Sequence, residues 1–140
     1  MHVFFQILLG AGTLLVCAIF HLATIGGMIH HLRTKKPLSR ERLFHQRFLT
    51  VAGLFLVSLF SHTIQIYLLA FSLWLVGALP GYEEPIYFSL VTYTTLGYGD
   101  VTLTPDFRIL GAMISVTGIL MFGMTTAFLT GLFFRVLGER

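Results

Sequence analysis

Three long stretches of this chain carry no formal charge. No Asp, Glu, Lys or Arg occurs in residues 3–32, 48–82 or 109–134, and each window exceeds the roughly 20 residues needed to cross a bilayer. A globule of this length has too little interior to hide them all. The composition agrees: 56% of the 140 residues are hydrophobic and 11% are charged, against about 25% charged in soluble domains. These windows exclude an ordinary soluble enzyme, a secreted disulfide domain and a disordered tail. The one cysteine, Cys17, lies in the first apolar run and reads as a small buried hydrophobe.

The charges that do occur are unevenly placed. Six of the nine bases, Arg33, Lys35, Lys36, Arg40, Arg42 and Arg47, fall between the first two apolar runs. Basic residues clustered between spans report the cytoplasmic side, a role that explains them without a specific lipid or nucleic-acid site. With an odd number of spans, Arg135 and Arg140 join them inside and Arg108 alone falls outside. The expected topology puts the N-terminus outside and the C-terminus in the cytoplasm. Glu83, Glu84, Asp100 and Asp106 then lie at the outer face and draw cations towards it. No Lys or Arg precedes the first run, which is too long for a signal-peptide core, so it reads as a retained helix.

Residues 3–32 form the first expected helix, about 45 Å long against a hydrocarbon core of about 30 Å, so it tilts or enters the headgroups. Pro37 marks a turn and Ser39 a cap for the polar lead-in that follows. The second helix is expected from about Phe44 to about Leu79, stopped by Pro80-Gly81, with Trp74 in the interfacial aromatic belt. Residues 85–99 are apolar but too short to span. Pro85 suits the first position of a short helix reaching about Thr94. Pro105-Asp106 opens the third long helix, with Asp106 as cap, and that helix runs to about Leu137. The chain divides into an N-terminal helix (1–32), a basic connector (33–47) and a remaining domain (48–140).

Thr95-Leu96-Gly97-Tyr98-Gly99 is the sharpest feature. The alternating glycines after a short helix argue for extended or unusual backbone, since glycine enters φ/ψ regions closed to other residues. Such backbone is tolerated at membrane depth only inside protein or against a watery cavity. An ion leaving water needs other oxygens in place of its hydration shell, and backbone carbonyls aimed at one axis supply them. Thr95 adds a hydroxyl at the inner end, and Tyr98 is expected to turn away from the axis and pack on the short helix. One chain gives one such strand, so a closed ring needs several copies.

The stretch Tyr87-Phe88-Ser89-Leu90-Val91-Thr92-Tyr93-Thr94-Thr95-Leu96-Gly97-Tyr98-Gly99-Asp100 resembles the pore helix and signature of the potassium channel pore-domain family, in its short bacterial form. The resemblance covers about residues 48–137. It implies an all-α membrane protein with three transmembrane helices, a re-entrant pore helix and an extended filter between helices two and three, assembled as a homotetramer in a prokaryotic inner or plasma membrane. It also implies passive conduction of K+, the transported ion, held by backbone carbonyls of Thr95, Leu96, Gly97 and Tyr98 and by the Thr95 hydroxyl. Neither catalysis nor a cofactor is called for, and the partners are the bilayer and further copies of the chain, with no nucleic acid. Gly99 completes the filter, with Asp100, Tyr87 and Thr94 as its supports. Leu96 replaces the commoner Val. Tyr87 and Phe88 stand where relatives often place two tryptophans, and the Tyr87 hydroxyl can reach Asp100. Val91 replaces a glutamate found in some relatives, so their Glu–Asp support is missing.

In the third long helix, Gly111 reads as a packing glycine. Gly118 falls at the family's inner-helix hinge and Gly123 where a second small residue follows; close packing is the competing reading for Gly118. Ile119, Phe122, Thr126 and Thr130 recur at three- and four-residue steps and share a face, either towards a central cavity or packed on the second helix. His2, His30, His31 and His45 lie near helix ends. His21 and His62 are deeper, where an imidazole is usually neutral and hydrogen-bonded, and Gln65 shares the face of His62. Their spacing gives no compact metal motif. No regular series of Arg or Lys marks a voltage sensor, and no soluble regulatory domain is identified. The competing functions are a nonselective cation channel of the same fold, a pore-loop subunit of an ion-coupled transporter, and a non-conducting membrane adaptor.

Overall fold

The computed structural model describes residues 3–34 and 44–137. The expected turn at Pro37, the Ser39 cap, and the bases Lys35, Lys36, Arg40 and Arg42 lie outside the described residues. Those described form four α-helices: α1 (Val3–Thr34), α2 (Phe44–Leu75), α3 (Glu83–Tyr93) and α4 (Arg108–Leu137). Val3–Thr34, Phe48–Leu75 and Arg108–Phe134 are each long and apolar enough to cross a membrane; α3, with 11 residues, is not.

The helices bury polar side chains beside an apolar core and leave many large apolar ones uncovered. Phe4, Ile19, Phe60 and Leu75 are exposed, while Gln6, His21, Gln65 and Thr117 are buried. Lipid tails are as apolar as leucine, so apolar side chains gain nothing by being hidden, and packing and interhelical hydrogen bonds join the helices instead. The buried residues of α1 are Gln6, Gly10, Cys17, His21 and Met28, at steps of four and seven. That period makes one straight seam, which α1 packs against α4 and α2. Gly10 takes the closest approach, where an added Cβ would lie 2.3 Å from the Met113 sulfur.

Three helix ends differ from the sequence expectation. The second helix stops at Leu75, before Pro80, because Gly77 adopts φ 67°. Its N–H donates to Trp74 O at 3.0 Å, and Ala78 N–H donates to Leu73 O at 3.0 Å. This paired closure satisfies the last carbonyls and needs glycine at the left-handed position. Leu73 and Ala78 then meet in the main apolar cluster. The short helix begins at Glu83, two residues ahead of Pro85, which sits buried in its first turn. Glu83 and Glu84 in that turn suit the positive end of the helix dipole. The last helix begins at Arg108, and the orphan N–H of Ile109 in its first turn donates to Gln6 Oε1 of α1 at 3.1 Å. An α1 side chain therefore caps α4, a role no local sequence signal announces.

Candidate functional site

The site grows from the C-terminal end of α3. Thr95 N–H donates to Thr92 O at 3.0 Å and Leu96 N–H to Val91 O at 2.9 Å, while Gly97 N–H reaches the same Val91 oxygen at 3.2 Å. This is the same closure as at Gly77, but the left-handed residue is Thr95, at φ 61°. A β-branched residue there is strained. Gly97 and Gly99 follow at φ 57° and 79°. Of the extended or unusual backbone expected after α3, residues 95–99 take the unusual form, with left-handed φ at every second residue. An ordinary strand keeps one hand of φ along its length, so this segment is not a strand.

Three contacts fix the end of α3, one within its own last turn and two from α4. The Thr94 hydroxyl caps it, donating to Leu90 O at 2.8 Å. Ser115 of α4 donates to Thr92 O at 3.1 Å. Gly118 lies so close that an added Cβ would sit 1.8 Å from Tyr93 O, so packing alone requires glycine there. The other small residues of α4 differ from it: Gly111 packs beneath Leu103 and Phe88, while Gly123 faces open space.

At the far end of the segment, the Tyr87 hydroxyl donates to Asp100 Oδ2 at 2.5 Å, and Asp100 Oδ1 accepts from Val101 N–H at 3.1 Å. The bond from Tyr87 holds the Asp100 carboxyl below its usual range and, reciprocally, pushes the Tyr87 phenol up. The carboxylate is therefore the resting form at neutral pH, a fixed negative charge beside Gly99. Glu83, Glu84 and Asp106 are also exposed.

Tyr98 is 68% exposed and Leu96 56% exposed, so within one chain Tyr98 is not packed down on α3 as expected. Ile119, Thr126 and Thr130 form an uncovered face of α4. Phe122 does more than line that face: its ring stacks on His62 at 4.5 Å. Among the described residues no group of three or more His, Cys, Asp or Glu side chains is placed to hold a metal ion. The sequence reading also missed how the deep polar residues connect. His62 and Gln65 of α2 both reach the Tyr93 hydroxyl. The signal was there: several polar residues, each half-way along an apolar helix.

Long apolar helices on either side of a short helix and a hand-alternating loop, with acids at one end, define a multi-pass membrane protein of the channel class. The model of the family described as ion channel, of the two-transmembrane potassium channel type, matches residues 66–135. That is half of the chain, and the chain belongs to this family. No match was found among curated proteins or solved structures.

Proposed function

We propose that the protein is a homotetrameric, potassium-selective channel in which residues 95–99 of four copies enclose one ion path. The observation that carries this reading is the left-handed backbone at Thr95, Gly97 and Gly99 directly after α3, a conformation that on this reading turns the carbonyls of the segment towards one axis. Four such segments around an axis replace the hydration shell of a dehydrated cation. The negative end of the α3 dipole points into the same place. The exposure of Leu96 and Tyr98 supports assembly, since both are apolar surfaces that a neighbouring copy covers. On this reading α3 is the re-entrant pore helix, Asp100 and Tyr87 hold the outer mouth, and Ile119, Thr126 and Thr130 face the central cavity. The N-terminus is outside and the 33–47 connector cytoplasmic, in a prokaryotic inner or plasma membrane.

The test is the bi-ionic reversal potential of the purified protein in lipid bilayers. Wild type is expected to prefer K+ over Na+. Tyr98→Asp, which removes an aromatic spacer and adds a carboxylate beside the path, should reduce that preference while leaving assembly intact. A wild type that conducts without preference makes this a nonselective channel. A strong preference unchanged in Tyr98→Asp moves the filter elsewhere.

A further inference from the structure

His21 and His62 lie half-way along α1 and α2, with ring centroids 5.1 Å apart, and are 1% and 6% exposed. Around them, side chains from all four helices join without a gap. Gln65 Nε2 lies 3.0 Å from His21 Nδ1, and His21 Nε2 lies 3.0 Å from Thr125 Oγ1. Thr125 Oγ1 is 2.9 Å from His62 Nε2, and His62 Nδ1 is 2.8 Å from the Tyr93 hydroxyl. That hydroxyl is 3.1 Å from Gln65 Oε1, and the path closes on itself.

The direction of every proton follows from Gln65. Its Nε2 also lies 3.3 Å from the Ser61 carbonyl oxygen, which only accepts. This sets the amide nitrogen, a pure donor, towards His21 and the amide oxygen towards Tyr93. His21 Nδ1 must then accept, so its proton is on Nε2 and goes to Thr125. The Thr125 hydroxyl passes its own proton to His62 Nε2. His62 therefore carries its proton on Nδ1 and donates to Tyr93, whose O–H closes the circuit on Gln65 Oε1. Round the circuit every donor meets an acceptor, with Ser61 Oγ a further neighbour of Gln65 Nε2 and His21 Nδ1 at 3.3 Å; both imidazoles are neutral, and they are opposite tautomers.

We propose that this ring is a proton-sensitive brace for the filter: closed and neutral, it positions Tyr93, and a proton on either imidazole opens it. The inference rests on reading residues 95–99 as the ion path. Tyr93 lies two residues before Thr95, and its carbonyl is clamped against Gly118, so its side chain and backbone are held from different helices. A proton added to His21 Nδ1 faces the Gln65 nitrogen, donor against donor, and can turn only to Ser61 Oγ at 3.3 Å, outside the circuit. One added to His62 Nε2 drives the Thr125 proton out of the circuit. The titratable groups facing the pair are Cys17 on α1, each imidazole to the other, and Tyr93 on α3; α4 has none between Arg108 and Arg135. With no carboxylate among these neighbours, an imidazolium there finds no opposite charge, and the second imidazole repels it.

Two measurements test the brace. Histidine-specific 15N NMR of the protein in lipid at neutral pH should show a neutral Nε2–H signal that disappears in His21→Gln and a neutral Nδ1–H signal that disappears in His62→Gln. Two like tautomers, or a charged ring at neutral pH, overturn the proton assignment. In liposomes, acidifying from about pH 8 to about pH 4 should lower wild-type cation flux about five- to tenfold, the scale of one neutral hydrogen bond. The double variant His21→Gln/His62→Gln keeps a donor and an acceptor at each site but has no imidazole, so its flux should lose the pH dependence. Tyr93→Phe should show low flux at every pH. A flat wild-type profile, or one unchanged in the double variant, overturns the switch. If wild type carries K+ and Na+ equally, potassium selectivity fails, and the pH profile of total flux still decides the brace.

Discussion

A threonine at φ 61° is held where a β-branched residue does not rest, at a cost of about 1–3 kcal/mol that the surroundings must enforce. Thr92 O, Val91 O and the Thr94 cap supply that enforcement within the chain. Thr95→Ala keeps the backbone hydrogen bonds but removes the hydroxyl, so single-channel conductance should change while the tetramer survives, as read by planar-bilayer recording. At the other end of the segment, the bond from Tyr87 depresses the Asp100 carboxyl. A carboxylate with a lowered folded value contributes above its unfolded value and loses that contribution as pH falls through the folded one. Tyr87→Phe should therefore move the Asp100 titration upward and bring acid loss of conductance to higher pH. A carbon-detected NMR titration of the aspartates reads the shift; an unmoved Asp100 would show that Tyr87 does not set its charge.

At the scale of elements, the four helices meet through small residues and shared polar groups. Gly118→Ala places a methyl 1.8 Å from Tyr93 O, where the contact is backbone and has no rotamer to yield. Overpacking of this kind costs about 1–3 kcal/mol or more, and thermal unfolding in detergent should show it. Gly123→Ala meets nothing within 4 Å and exchanges a poor helix former for the best, a gain of about 0.5–1 kcal/mol. Equal effects of the two substitutions would contradict this packing. The boundary of α2 teaches a related point. Pro80-Gly81 is the louder stop signal, yet Gly77 ends the helix, because a left-handed glycine satisfies the terminal carbonyls before Pro80 is reached. An isolated glycine near the end of an apolar run carried that information.

At the scale of the whole molecule, the proposed ion path needs four copies of residues 95–99, and the uncovered face of α4 and the exposed Leu96 and Tyr98 are the surfaces those copies would share. Native mass measurement in mild detergent should give about four times 15.7 kDa; a conducting monomer or dimer would overturn it. Single cysteines at Lys36 and Glu83 should react with an impermeant reagent from opposite faces, Glu83 from outside. Both expectations concern relations between copies or between protein and membrane.

The sequence by itself determined that this chain lives in a bilayer, because uncharged runs of that length have nowhere else to go. It also placed the short helix and the glycine-marked segment after it, since those depend on neighbours in the chain. Tertiary structure alone decided that Gln6 caps α4, that Gly118 is required by the carbonyl of Tyr93, and that His21, His62, Gln65, Tyr93 and Thr125 close into a ring. His21 and Thr125 are separated by 104 residues, and hydrogen bonds between helices depend on the rotation and depth of each helix relative to the others. No local pattern of side chains encodes those two variables; they are settled when the helices pack.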